Sequence, residues 1–341
     1  LPDAEVRVLA PAVPGDRAFD RAAGADIRRL GAARLGRTAW MAELASRTVA
    51  ACLTWRPDLV VCGHVITAPA ALLARRLTGV PYAVFVYAYE IRRKRRQRPI
   101  ARLLRGARMV IACSEFTRQQ AVDLGVAREH TRVLYPGVDA KRFTPSSNGA
   151  GPARAPTLLS VSRLADMYKG HDTAIRSLAL VRAKVPNARY AIAGGGPLRD
   201  YLARVADSLG VAAAVEFLGD VPDAALSDVY RSADVLLTLS RESGSGGGAE
   251  GFGIVCLEAA ACGVPVVAGR SGGLPDAVED GVTGVLVDPT NIGAAADAIV
   301  SLLTDPGRAR AMGEAGRKRV LEGFTWERMA QEARRIFAEA V

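Results

Sequence analysis

The sequence predicts an α/β protein made of two doubly wound domains. Three observations carry that reading. Short β-branched runs alternate with helical stretches along all 341 residues. Most of these runs are apolar throughout, as in strands covered on both faces. A Pro-, Gly- and Ser-rich segment, Pro136–Pro156, divides the series. Strand–helix repetition implies parallel sheets joined by right-handed crossovers.

In the first part the expected strands are Val6–Pro11, Leu59–Gly63, Tyr82–Tyr87, Met109–Ser114 and Arg132–Tyr135. Helices fill the gaps, for example Thr38–Trp55 and Ala68–Leu77. The first of these strands resembles the second strand of a doubly wound domain, so the domain's first strand and phosphate-side loop are expected to be missing. In the second part the expected strands are Thr157–Ser162, Arg189–Ala193, Val215–Leu218, Val235–Leu239, Val264–Ala268 and Val285–Val287. The expected domains are 1–145 and 146–324, with a last helix, 325–341, crossing back to the first. Ligands of such sheets bind beyond the carboxyl ends of the strands, so the cleft between the domains is the expected site. No internal repeat is visible.

Half of the residues are hydrophobic, ample for two cores. The longest apolar stretch, Phe252 to Ala268, is broken by Glu258, Gly263 and Pro265, so no membrane span is expected. No secretory signal is visible at the start. Cys52, Cys62, Cys113, Cys256 and Cys262 sit in apolar stretches without metal-type spacing. They read as buried free thiols of a reducing cytoplasm. Net charge is +10, and residues 91–108 alone hold nine Arg and Lys and no acid. Such a cluster suits phosphates or an anionic membrane surface, or it is a solvated helix face. No aromatic residue interleaves with the charges, which argues against nucleic acid.

The segment Ser243-Gly-Ser-Gly-Gly-Gly-Ala-Glu250-Gly-Phe-Gly-Ile-Val-Cys-Leu-Glu258 carries most of the functional signal. Glycines let backbone amides approach a ligand, and a helix opening near Ile254 adds unpartnered amides that attract anions. Glu250 falls in the loop and Glu258 about one turn into the helix. Amides for a phosphate and carboxylates for hydroxyls together suit a sugar nucleotide. Arg163 and Lys169 lie in the loop after the strand Thr157–Ser162, where two cations could neutralise a departing diphosphate or be ordinary surface charges. Gly194-Gly-Gly-Pro197 opens another strand-to-helix turn and reads as mostly structural.

Arg163…Lys169-Gly, Glu250-Gly-Phe-Gly-Ile…Glu258-Ala, Ala261-Cys-Gly-Val-Pro-Val-Val-Ala and Ser271-Gly-Gly-Leu-Pro-Asp closely resemble glycosyltransferase family 4. Leu134-Tyr-Pro-Gly-Val-Asp-Ala-Lys-Arg-Phe-Thr-Pro145 is similar to the family's interdomain linker, and Phe324-Thr-Trp-Glu327 to the start of its last helices. The likeness covers the whole chain, is strongest over 157–290, and is especially close to bacterial phosphatidylinositol-mannoside mannosyltransferases. It implies a retaining GT-B enzyme that moves a hexose from GDP-mannose or a UDP-sugar to an acceptor hydroxyl, with no metal and no cofactor. By the same resemblance Arg163 and Lys169 hold the diphosphate and Glu258 the ribose. Glu250, with the amides of Phe252, Gly253, Ile254 and Val255, holds the donor sugar. Gly195, Gly219 and Val221 line the nucleotide side.

The family usually carries a His-Gly pair after the strand Tyr82–Val86. Here Tyr87 and Ala88 stand in those places, followed by Tyr89-Glu90. Tyrosine donates a hydrogen bond but cannot become cationic at neutral pH. Tyr87, Glu90 and His64 are therefore the acceptor-side candidates. His171 is read as capping or packing its helix. The expected acceptor is a glycan or a lipid-linked molecule, met at the inner face of the membrane through residues 91–108; a soluble natural product is the rival. A nucleotide-binding GT-B protein without transfer, suggested by Tyr87, is the alternative from another class.

Overall fold

The computed structural model describes residues 4–92, 97–146, 155–243 and 248–341. Its contacts divide the chain into two units. One holds Leu1–Cys113, Arg118–Leu134 and Ala330–Val341; the other holds Ser114–Thr117 and Tyr135–Met329. The described part of the expected linker, residues 136–146, groups with the second unit because it is packed. Val138 and Phe143 are buried, the Val138 amide donates to Phe324 O at 2.8 Å, and the Phe143 ring meets Tyr230 edge-on. The rest of the linker, residues 147–154, lies outside the described residues, as do Arg93–Arg96 of the basic cluster and Gly244–Gly247 of the glycine loop.

In the first unit the described strands form two parallel sheets. One pairs β1 (Arg7–Pro11) with β2 (Asp26–Leu30). The other has the order β3 (Val60–Cys62), β4 (Tyr82–Val86), β5 (Met109–Ala112), β6 (Thr131–Val133). The strand β2 was not expected. Its sequence, Asp-Ile-Arg-Arg-Leu, has no apolar run, because only Leu30 is buried, against Leu44 and Ala70. Its charges are answered locally instead: Arg7 meets its register partner Asp26 at 2.8 Å, and Arg29 meets Asp20 at 2.5 Å. The strands β4 and β5 are almost wholly buried and centre the core of this unit, with Val84, Val86, Val110 and Ala112.

The second unit carries one six-stranded parallel sheet: β7 (Thr157–Val161), β8 (Arg189–Ala193), β9 (Val215–Gly219), β10 (Val235–Thr238), β11 (Val266–Gly269) and β12 (Gly284–Val287). Their spatial order is β12-β11-β10-β7-β8-β9. Counted within the unit this is the 3-2-1-4-5-6 order of a doubly wound nucleotide-binding sheet. The direction of winding reverses between β7 and β10, and loops leaving these two strands part to open a crevice. The strands are apolar because helices cover them. Leu158, Ile192, Val235, Leu237 and Val267 are buried against Ile175, Leu178 and Ile299 of the helices His171–Lys184 and Ile292–Leu303. All five cysteines are buried free thiols, as expected.

Gly313, inside the helix Pro306–Gly323, lies so close to the helix Ile254–Ala261 that an added Cβ would collide with the Gly263 carbonyl oxygen. Alanine favours a helix over glycine by about 1 kcal/mol. Overpacking costs about 1–3 kcal/mol and more where backbone must move. Gly313→Ala is therefore expected to destabilise the protein by about 1–2 kcal/mol, net of the propensity gain. Urea unfolding of the two proteins measures it.

Candidate functional site

Two loops flank the winding reversal. The first leaves β7 through Ser162 and Arg163, turns through a short 3-10 segment, Met167–Lys169, and enters the helix His171–Lys184. Gly170, with φ +76°, makes that turn, and its Cβ position is filled by the carbonyl of Leu239, the residue that follows the strand β10. No side chain fits there, so Lys169 is held directly over the end of β10. The second loop leaves β10 through Leu239-Ser240-Arg241 and reaches Glu250 and the helix Ile254–Ala261. Between them is a cavity of about 220 Å³ whose walls include Ser162, Arg163, Lys169, Ser240, Glu250, Gly253, Ile254 and Val255.

An ion pair joins the loops inside that cavity. Lys169 Nζ lies 2.8 Å from Glu250 Oε2, with both side chains less than one-fifth exposed. Ser240 Oγ donates to the same carboxylate oxygen at 3.4 Å. Burial alone pulls the Lys169 pKa down, but the Glu250 charge and hydrogen bond outweigh it, and the net shift is upward. An ammonium carries three N–H groups, so Lys169 can keep Glu250 and still donate to a ligand oxygen. A second clamp sits behind. Arg241 grips Asp172 through both carboxylate oxygens, at 2.9 and 3.0 Å, and its amide donates to Tyr168 O at 2.8 Å. The glycine-rich excursion is closed at its base, where Ser243 N donates to Gly248 O at 2.9 Å and Gly248 N to Ser243 Oγ at 3.0 Å.

Glu258 lies within the helix Ile254–Ala261, as expected, and does not line the cavity described above. Its Oε2 accepts a 2.6 Å hydrogen bond from Tyr230, which is wholly buried. Burial raises the Glu258 carboxyl above its usual value, with Tyr230 and Arg142 pulling the other way. Phe252 is buried and stacks among Tyr135 and Phe324, so its ring is part of the core and only its backbone is offered to a ligand. The Gly195 amide is taken by Asp220 Oδ1 at 2.8 Å, and Gly219 O accepts from Gly194 N. Gly195, Gly219 and Val221 stand along the ends of β8 and β9, outside the cavity walls.

The first unit holds the remaining candidates. Tyr87 follows β4, is 41 % exposed and stacks on His64 with ring centroids 6.2 Å apart. His64 Nδ1 accepts from Ile66 N, which leaves Nε2 as the protonated nitrogen of the neutral ring. Glu90 accepts from the Tyr87 amide, and burial raises its pKa. Residues that escaped the sequence reading include Arg241, Asp172, Tyr190, Tyr230 and the serines Ser160, Ser162 and Ser240. Arg241 left a signal, since it follows the strand that borders the winding reversal. The tyrosines meet their partners through tertiary packing alone. His171 is buried, and besides opening its helix it bonds Ser162 at 2.8 Å and Tyr190 at 3.2 Å.

A doubly wound sheet with cations, carboxylates and a helix start gathered at its reversal point defines a nucleotide-site class of α/β protein. Residues 147–319, just over half of the chain, match Glycosyl transferases group 1, and residues 2–142 match Glycosyltransferase Family 4. The chain belongs to this glycosyltransferase family. It is 43 % identical over 237 residues to a GDP-mannose-dependent alpha-(1-6)-phosphatidylinositol monomannoside mannosyltransferase of Mycolicibacterium smegmatis, covering 67 % of this chain and 61 % of the relative. It is 31 % identical over 300 residues to a glycogen synthase of Mycobacterium tuberculosis, covering 84 % and 70 %. The match to the mannosyltransferase thus spans about 61 % of that relative's length. Among solved structures, Anabaena HepE in complex with UDP and glucose superposes with a TM-score of 0.79 at 21 % identity, over 97 % of this chain and 91 % of that one. Sucrose-phosphate synthase from Thermosynechococcus elongatus gives 0.77 at 21 %, over 99 % and 96 %. These likenesses give the fold, GT-B, with two α/β units built on parallel sheets.

The raised Glu258 carboxyl fixes a sign. A group whose folded pKa exceeds its unfolded one contributes stability fully below the unfolded value, here 4.5, and loses it as pH rises through the folded value. Glu258→Gln keeps an oxygen for Tyr230 and is expected to be more stable than the wild type at pH 7. Urea midpoints at pH 7 and pH 4 should show that gap closing at the lower pH.

Proposed function

We propose that the chain is a retaining glycosyltransferase that moves mannose from GDP-mannose to a hydroxyl of a lipid-linked, phosphatidylinositol-type acceptor. The observation that carries this reading is the Lys169–Glu250 pair, with Arg163 beside it, at the reversal point of the sheet. The likeness to mannosyltransferases supports the choice of donor and acceptor. In this reading Arg163 and Lys169 bind the diphosphate and stabilise the charge that grows on it. Glu258, steadied by Tyr230, takes the ribose hydroxyls. Glu250 and the backbone from Gly253 to Val255 take the sugar and the phosphate next to it. The C1–oxygen bond to the diphosphate breaks, a bond from the acceptor oxygen forms on the same face, and the acceptor proton passes to the departing phosphate. The two side-chain cations supply the positive charge for this step.

A nucleotide-binding protein without transfer is the second reading, favoured by Tyr87 in the place of a histidine and by its stack on His64. Calorimetry with GDP and UDP followed by a donor-turnover assay separates the two, since binding without turnover supports the second. Losing one transition-state cation costs about 100-fold or more in kcat. Lys169→Ala should show that loss while its far-UV spectrum stays native, and full turnover in that variant sinks the proposed role.

The membrane half rests on the helix Gln97–Arg105. Arg98, Arg102 and Arg105 are exposed on one face, while Ile100, Ala101 and Leu104 are buried on the other. Each such cation near an anionic surface contributes about 1 kcal/mol. The protein is expected to sediment with phosphatidylglycerol vesicles at 50 mM salt, and less at 500 mM. Equal sedimentation at both salts, or none, counts against this face as the membrane contact.

A further inference from the structure

Behind the Arg163 loop runs a buried polar chain that the transfer step leaves without a task. Ser162 Oγ lies 2.8 Å from His171 Nε2, and His171 Nδ1 lies 3.2 Å from Tyr190 Oη. Tyr190 donates to Ser160 Oγ at 2.8 Å, and Ser160 donates to Leu237 O at 2.6 Å. His171 and Ser160 are 5 % exposed and Tyr190 is fully buried, while Ser162 stands in the cavity wall. The chain links the strands β7, β8 and β10 with the start of the helix His171–Lys184.

Its direction is forced. A carbonyl oxygen only accepts, so Ser160 must donate to Leu237. The single proton of Tyr190 is spent on Ser160, so Tyr190 accepts from His171 Nδ1–H. A neutral imidazole has one N–H, which leaves Nε2 to accept the Ser162 hydroxyl proton. The alternative acceptor for that proton, Arg163 O, is 3.4 Å away and too distant to compete. The ring stays neutral, because burial pushes His171 down to about 4. The nearby Lys169 charge adds to that shift, and Asp172, itself held by Arg241, opposes it. Ser162 thus turns only lone pairs toward the cavity, next to two cations that attract phosphate. A hydroxyl with no proton to give repels a phosphate oxygen and welcomes an O–H.

We propose that Ser162 is a specificity-determining contact that accepts a hydrogen bond from a hydroxyl of the bound nucleotide sugar, and that His171, Tyr190 and Ser160 are the positioning residues that fix it in that sense. This rests on the nucleotide-sugar reading given above. It adds a place where the site sorts hydroxyls from phosphate oxygens.

The test uses the intact protein with GDP-mannose, its monodeoxy and monodeoxyfluoro analogues at each mannose hydroxyl, and 2′-deoxy- and 3′-deoxy-GDP. Fluorine cannot donate a hydrogen bond, so an acceptor serine loses both kinds of analogue alike. At one position the wild type should bind the deoxy and the fluoro compound about five- to tenfold more weakly, the worth of one hydrogen bond. If that position lies on the ribose, the deoxy-GDP compound shows the loss instead. In Ser162→Ala the penalty should shrink to less than about twofold, because the contact is gone from both sides of the comparison. His171→Phe frees the Ser162 proton, so the fluoro penalty should fall while the deoxy penalty stays. His171→Gln, whose amide can accept from Ser162 and donate to Tyr190, should restore the wild-type pattern. A chain that only satisfies buried groups would lower Tm in the His171 variants and leave every analogue ratio unchanged, which overturns the positioning role. Tight GDP-mannose binding with a profile insensitive to Ser162→Ala overturns the contact alone. No binding of GDP-mannose or GDP by the wild type overturns the nucleotide-sugar reading and this inference with it.

Discussion

The ion pair between Lys169 and Glu250 ties together the two loops that the sheet topology drives apart. Parallel strands on either side of a winding reversal send their connections to opposite faces, so the loops after β7 and β10 diverge. Opposite charges 2.8 Å apart, mostly out of water, hold them at one distance. Either charge alone would be costly in that setting, since breaking a buried pair leaves an uncompensated ion. The Arg241–Asp172 clamp repeats the connection one layer further back, and its paired hydrogen bonds add orientation to attraction. The cavity keeps its shape because both of its walls are bound to each other in this way.

The polar groups in and behind the cavity are held in two ways, some by the ion pairs just described and others by buried tyrosines. Two of them, Glu258 and Ser160, are each backed by a tyrosine buried so deeply that its hydroxyl stays protonated. Tyr230 is pushed well above its usual range and donates to Glu258; Tyr190 is also raised and donates to Ser160. A buried phenol has a single proton and a fixed ring, so it sets both the place and the direction of the next hydrogen bond. Such groups bind a ligand with little reorganisation, because the loss of rotamer freedom has already occurred on folding.

The first unit follows the same backbone logic with a different surface. Its strands β4 and β5 are closed to water, while the helix Gln97–Arg105 turns three arginines outward over a buried apolar stripe. Amphipathic spacing places the charges on the solvent face of the helix, which is what a surface contact requires. The strand β2 shows the opposite arrangement, in which charge is absorbed by cross-strand pairing and the strand survives without an apolar run.

Much of the architecture was legible in the sequence. Short, mostly apolar runs marked eleven of the twelve described strands to within a residue or two, and for the central strands this is because a strand covered on both faces has no polar alternative. The strand β2 was not legible, since Asp-Ile-Arg-Arg-Leu becomes a strand only where Arg7 and Asp20 answer its charges. The loop residues Arg163, Lys169 and Glu250 were legible as well, because glycines and charges at strand ends have few structural uses. That Lys169 pairs with Glu250, that Tyr230 holds Glu258, and that His171 sets the direction of Ser162 were decided by the tertiary structure alone. Their partners lie between 9 and 81 positions away in the chain. Sequence spacing carries no distance across such a gap, and only the closing of the sheet supplies one.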